Sequence, residues 1–155
     1  MEKKKFRTLI GVLALVLVVL LFKCIFQVGK KDISLQYKIN LKSQYENFKK
    51  SNKPSMIVFS YNADCCPNTK KFFDEYNGKV EKLMMAYEDK INIWFINTGI
   101  LEEKDEEALQ NITEENEVSK IPSILLMDSS GKSIKVIQGI FDEGEVREII
   151  DGMVK

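Results

Sequence analysis

The amino-acid sequence predicts an α/β domain, a mixed central sheet flanked by helices, preceded by one N-terminal transmembrane helix. Three observations carry this. Leu9 to Phe22 is unbroken apolar sequence. Two short apolar runs, Met56–Phe59 and Ile91–Ile96, are separated by a long segment whose apolar residues recur at helical spacing. Two last runs, Ile124–Met127 and Ile134–Gln138, are joined by the turn Asp128-Ser129-Ser130-Gly131-Lys132. A helix crossing between the first two strands makes them parallel, and a tight turn makes the last two antiparallel, so the sheet is mixed.

The front of the chain reads as an appendage to one ordinary domain, since 155 residues with 45% hydrophobic and 30% charged side chains leave room for both. Residues 1–8 form a basic tail with Lys3, Lys4, Lys5 and Arg7 against Glu2. Residues 9–28 are about long enough to cross a bilayer, which takes roughly 20 residues, with Lys23 snorkelling to the headgroups. The rival is a cleaved signal peptide, but no small-x-small site follows the apolar core, which favours an uncleaved signal anchor. Cys24 invites a lipoprotein reading, yet Phe22 and Lys23 stand where a bacterial lipobox needs small residues. The four cations before the span outweigh Lys30 and Lys31 after it, so the tail is expected in the cytoplasm and the domain on the extracytoplasmic, oxidising side of a cell membrane crossed once.

After a linker at residues 29–39, which includes a possible short strand at Ile33–Tyr37, the domain is expected over residues 40–155. Leu41, Tyr45 and Phe48 recur at helical spacing, predicting a helix over Lys42–Ser51 that Asn52-Lys53-Pro54 terminates. Met56–Phe59, apolar on both faces, reads as a central strand. Phe72, Tyr76, Val80, Leu83 and Tyr87 mark one face of a long helix beginning near Pro67, with Gly78 as a potential kink. Ile91–Ile96 is a second buried strand carrying the only tryptophan, Trp94. Between Asn97 and Ser119 the chain is acidic and predicted as a solvated helix pair. The hairpin follows, and Asp142–Met153 closes the chain as a helix with Val146, Ile149, Ile150 and Met153 toward the core.

Composition excludes several chemistries. Residues 1–31 hold seven of the 23 Lys/Arg and one of the 23 acids, which leaves 16 against 22 and a charge of −6 on the rest. An acidic domain is a poor nucleic-acid binder, and no nucleic-acid partner is expected. The chain has no histidine, which removes imidazole-based hydrolase triads and His-containing zinc sites. Three cysteines, one in the apolar span, do not make a four-thiolate metal site within one chain. No P-loop, Gly-x-Gly-x-x-Gly or EF-hand spacing is present. No cofactor and no metal are expected.

What remains is Cys65-Cys66-Pro67-Asn68-Thr69-Lys70-Lys71, at the junction of a buried strand with a long helix. Exposed N–H groups and the positive dipole end of a helix stabilise a thiolate there. Phe59 to Lys70 is similar to the segment of thioredoxins that runs from the central strand into Trp-Cys-Gly-Pro-Cys-Lys, and Cys66-Pro67-Asn68-Thr69 also resembles the Cys-Pro-x-Cys of glutaredoxins. Val118-Ser119-Lys120-Ile121-Pro122-Ser123 resembles the family's Ile-Pro-Thr segment, and Gly139 its glycine after the last strand. On these motifs residues Asn40–Val154 are identified as a thioredoxin-like domain with a Cys-Pro-x-Thr variant motif. Anchor and size resemble the membrane-tethered bacteriocin transport accessory group.

The resemblance implies that Cys66 is the nucleophile, that Pro122 is cis and shapes with Ile121, Tyr61, Asn62 and Pro67 a groove for extended substrates, and that a buried acid would fall at Ser60. It also exposes a departure: Thr69 stands where the resolving cysteine belongs, so the ordinary Cys-x-x-Cys cycle is missing. Thr69, Lys70 and Lys71 are candidate stabilisers of the sulfur. Cys65 is open between resolving Cys66 through a strained vicinal ring, pairing between chains, and pointing into the sheet as a small apolar residue. Two functions follow: a thiol-disulfide oxidoreductase acting on exported protein or peptide thiols and disulfides, with a membrane redox partner, or a non-catalytic adaptor for exported peptides or a membrane protein. The charge bias predicts that protease added to intact spheroplasts degrades the domain; protection until lysis would reverse the orientation.

Overall fold

The computed structural model describes residues 40–155. The predicted span at residues 9–28, the linker and the strand at Ile33–Tyr37 lie outside them, and among the described residues no helix is long and apolar enough to cross a membrane. The elements are α1 (Leu41–Lys49), β1 (Ser55–Ser60), α2 (Pro67–Tyr87), β2 (Asn92–Asn97), a 3-10 turn (Thr98–Ile100), α3 (Glu103–Glu115), β3 (Ser123–Met127), β4 (Ser133–Gln138) and α4 (Glu143–Met153). The sheet order is β2-β1-β3-β4. β1 runs parallel to β2, Ile57 opposite Trp94, and antiparallel to β3, Ile57 opposite Leu125. β3 and β4 are antiparallel, so the mixed sheet has the topology expected.

Every residue of β1 is buried, which is why the strand reads as a continuous apolar run rather than an alternation. Its side chains split by parity. Met56 and Val58 join Ile124 and Leu126 under Tyr76, Val80, Leu83 and Tyr87 of α2 and Val146 and Ile150 of α4. Ile57 and Phe59 join Trp94, Leu125 and Met127 under Leu41 and Tyr45 of α1 and Ile112 of α3. Burying each such side chain stabilises the fold by about 1.5–3 kcal/mol, and β1 contributes to both layers at once.

Two expectations are corrected. The core face of α2 begins with Phe73, 5% exposed, rather than Phe72, which is half-buried. Tyr76 follows Phe73 at i+3 on that face, while Phe72 turns its edge to Phe73. Gly78 lies inside α2, which is continuous over 21 residues. The acidic segment holds one α-helix, not a solvated pair. Leu101, Ala108, Leu109 and Ile112 form a stripe against the α1 layer, Asp105 is buried with its carboxylate 3.5 Å from the Leu41 N–H, and Asn116 donates to Tyr45 Oη at 2.7 Å. Apart from Asp105, the acids of this helix lie on its outer face.

Asp128 organises the hairpin turn by accepting from the Ser130 N–H, the Ser130 hydroxyl and the Lys132 N–H. Gly131 there has φ +81° and lies against the backbone of Lys49. Gly131→Ala is expected to destabilise the domain by about 2–4 kcal/mol, because a left-handed L-residue and a Cβ driven into the Lys49 carbonyl both cost free energy. At Gly78 a Cβ meets nothing within 4 Å. Gly78→Ala is therefore expected to stabilise by about 0.5–1 kcal/mol. Urea unfolding of the two variants reads both signs.

Candidate functional site

Four segments converge at the end of the sheet where β1 finishes. β1 leaves through Tyr61–Cys66. β2, parallel to it, leaves through Thr98–Ile100. β3 enters from Ile121-Pro122, since its register sets Ser123 opposite Phe59, and the Ile121–Pro122 bond is cis. β4 leaves through Gly139, whose N–H donates to the Pro122 carbonyl at 2.8 Å. Pro122 is buried, whereas Ile121 and Ile140 are 41% and 78% exposed.

Cys66 is the N-cap of α2, with extended backbone (φ −158°, ψ 153°) and Pro67 at the first helical turn. Proline suits that position because its fixed φ is helical and its missing N–H would have no intrahelical partner. The Cys66 carbonyl accepts the Lys70 N–H at 2.9 Å. The sulfur lies at the positive end of a long helix and is exposed. Its neighbours are Thr69 Oγ1 at 2.8 Å, to which the thiol donates, and Cys65 Sγ at 3.7 Å. Hydrogen bonding holds the Cys66 thiol below its ordinary range, from the Thr69 hydroxyl first, then the Thr69 backbone and the Cys65 thiol. On ionisation the thiol proton is lost and the Thr69 hydroxyl turns to donate to the sulfur.

The lysines do not share that role. Lys70 pairs with Asp74, and Lys71 with Glu75 at 3.8 Å, one turn along the exposed helix face. Opposite charges at i,i+4 take up each ammonium locally. Cys65 is exposed, which removes the reading in which it points into the sheet. The chain has turned away from β1 by then, and Ala63 is the residue of this loop that is buried.

Beneath the loop is a set of contacts that the sequence reading did not anticipate. Ser60 Oγ donates to Asn77 Oδ1 at 2.7 Å, and Asn77 Nδ2 donates to the Tyr61 carbonyl at 3.2 Å and to Asn62 Oδ1 at 3.4 Å. Thr98 Oγ1 donates to the Ser60 carbonyl, and the Tyr61 ring packs on Phe73 with centroids 4.1 Å apart. One amide on α2 thus ties down the chain where it leaves β1. The only signal in the sequence was an Asn, a poor helix former, beside Gly78 within a helical pattern. Pro122, Ile121, Tyr61, Asn62 and Pro67 are brought to the same end of the sheet as Cys65, Cys66 and Thr69. Ile140, Asn77 and Thr98 are the residues there that the sequence reading missed.

The family model of the thioredoxin-like domain matches residues 41–153. The chain belongs to the thioredoxin-like domain family. Solved thioredoxins have this fold: mitochondrial thioredoxin 3 of Saccharomyces cerevisiae is 19% identical with a TM-score of 0.51, covering 71% of this chain and 88% of its own. Thioredoxin O2 of Arabidopsis thaliana is 16% identical with a TM-score of 0.50, covering 76% of this chain and 92% of its own. No curated protein matches the chain. In this thioredoxin-like domain Thr69 stands three residues after Cys66, and its hydroxyl is hydrogen-bonded to the candidate sulfur. Thr69→Ala is expected to move the pH midpoint of Cys66 alkylation upward and slow alkylation at neutral pH, because less thiolate is present; an unchanged midpoint would show that the hydroxyl does not hold the sulfur.

Proposed function

We propose that this protein is a membrane-anchored thioredoxin-like thiol-disulfide oxidoreductase that acts on exported proteins or peptides through Cys66. The observation that supports it is one exposed sulfur at the N-terminus of a 21-residue helix, 2.8 Å from the Thr69 hydroxyl and held below the ordinary thiol range. Thiolate is the nucleophile of exchange, and a lowered pKa enlarges its share at a given pH. In the proposed step the Cys66 thiolate attacks a client disulfide, forms a mixed disulfide and expels the other client sulfur as thiolate. A second thiolate, from Cys65 or an external thiol, then attacks Cys66 Sγ and releases the client reduced; the two electrons come from that thiol pair. An extended client would lie along Tyr61, Ile121 and the Pro122 backbone, with the apolar Ile121 beside it, a form of β-augmentation.

The second reading, an adaptor that binds exported peptides or a membrane partner without exchange, is favoured by Thr69 in place of a resolving cysteine. Kinship with the bacteriocin transport accessory group belongs to either reading. The readings separate on non-reducing gels of membranes quenched with acid and alkylated. The enzyme gives a ladder of reducible adducts that vanishes in Cys66→Ser and accumulates in Cys65→Ser if Cys65 resolves. Restoring a dithiol with Thr69→Cys is expected to raise disulfide-reductase turnover sharply. Absence of any Cys66-dependent ladder under all redox conditions leaves only the adaptor, whose binding would be indifferent to Cys66→Ser and weakened by changes at Pro122 or Tyr61.

A further inference from the structure

The two sulfurs of Cys65 and Cys66 are 3.7 Å apart, both free and both exposed. A disulfide requires about 2.05 Å, so the pair is a dithiol. The spacing has a counterpart in metal chemistry. Sulfurs bound to zinc lie at about 2.3 Å from it, and the corners of a tetrahedron of that size are about 3.8 Å apart. Cys65 and Cys66 therefore already span one edge of a thiolate tetrahedron. We propose that this pair is a chelating site for a thiophilic divalent cation of the zinc class, with both sulfurs bound to one ion and the remaining corners open to water or to an incoming thiolate.

The surroundings fit a bidentate, exchangeable site rather than a closed structural one. Among the described residues no group of three or more Cys, Asp or Glu could hold a metal together, so the protein supplies two corners and leaves the others free. The chain has no histidine, so the donors are sulfur alone, which selects a soft or borderline cation over magnesium or calcium. Thr69 Oγ1, 2.8 Å from Cys66 Sγ, is placed to donate to the bound thiolate and fix its direction, the part that second partners play at metal thiolates. Binding is a proton exchange without redox change: each thiol releases its proton to solvent, and the dication meets two thiolates. The chelate stands on the sulfur spacing. Its consequence rests on the proposed exchange reaction, because a sulfur whose charge is shared with a metal attacks a disulfide more slowly. Metal occupancy and exchange then compete for the same two atoms.

The test uses the full chain in mild detergent, reduced and metal-free, in a Cys24→Ser background so that only this pair reports. Cadmium is titrated while the sulfur-to-cadmium charge-transfer absorbance is followed, and zinc is then added in competition. The expected result is saturation at one cadmium per chain, displacement by zinc, and zinc-dependent protection of Cys66 from alkylation. Loss of a supporting partner alone weakens metal sites by about 10–100-fold, so loss of either ligand in Cys65→Ser or Cys66→Ser is expected to weaken binding by at least about tenfold. No charge-transfer band with excess cadmium, or binding undiminished in Cys65→Ser, overturns the chelate. A protein that forms Cys66 mixed disulfides yet gives no band sinks this inference alone. One that gives the band and binds by both sulfurs yet never forms a mixed disulfide supports the chelate and sinks the exchange reading.

Discussion

The burial of β1 on both faces is the constraint from which the site follows. A strand that contributes Met56 and Val58 to one layer and Ile57 and Phe59 to the other has no freedom of register, since a one-residue slip would exchange the two sets. The chain must leave the sheet at Ser60 and, six residues later, enter a helix whose Tyr76, Val80 and Leu83 are locked against the same strand. Cys66 sits at that entry because strand and helix are fixed independently. The sulfur is accordingly held at the positive end of a helix without a long side chain to place it.

Hydrogen bonds to neutral groups, rather than charges, then define the chemistry. Ser60 stands where the family resemblance places a buried acid, and its hydroxyl is satisfied by the Asn77 amide. The chain leaving β1 is held by a serine–asparagine network that carries no proton of its own to exchange near neutral pH. On the outer side Lys70 and Lys71 are engaged by Asp74 and Glu75. Thr69 is left as the side chain that responds to the charge on sulfur. Its hydroxyl stabilises the thiolate but supplies no second sulfur.

Much of this was legible before any coordinates. Helical spacing from Pro67 to Tyr87 between two apolar runs dictates parallel strands, and a five-residue polar turn dictates a hairpin, so sheet topology followed from connectivity. The cis bond at Pro122 came only from the family resemblance, since nothing in an isolated Ile-Pro pair specifies it. What escaped did so for physical reasons. The phase of α2 at its first turn is ambiguous when Phe72 and Phe73 are adjacent, because either satisfies the pattern. The acidic segment hid Ile112 and Asp105 because charge on one face masks an apolar stripe on the other. Asn77 was invisible because a polar residue in a helix looks solvated until the loop it holds is in place.

The local structure at the start of α2 shifts Cys66 toward the thiolate. The most direct measurement of that shift is the ultraviolet absorbance of the thiolate followed against pH in a chain that retains Cys66 as its sole cysteine, with the denatured chain as the reference. The account predicts a native midpoint below the ~8.5 of a free cysteine and a return toward that value on unfolding. A native midpoint equal to or above that of the denatured chain would contradict it.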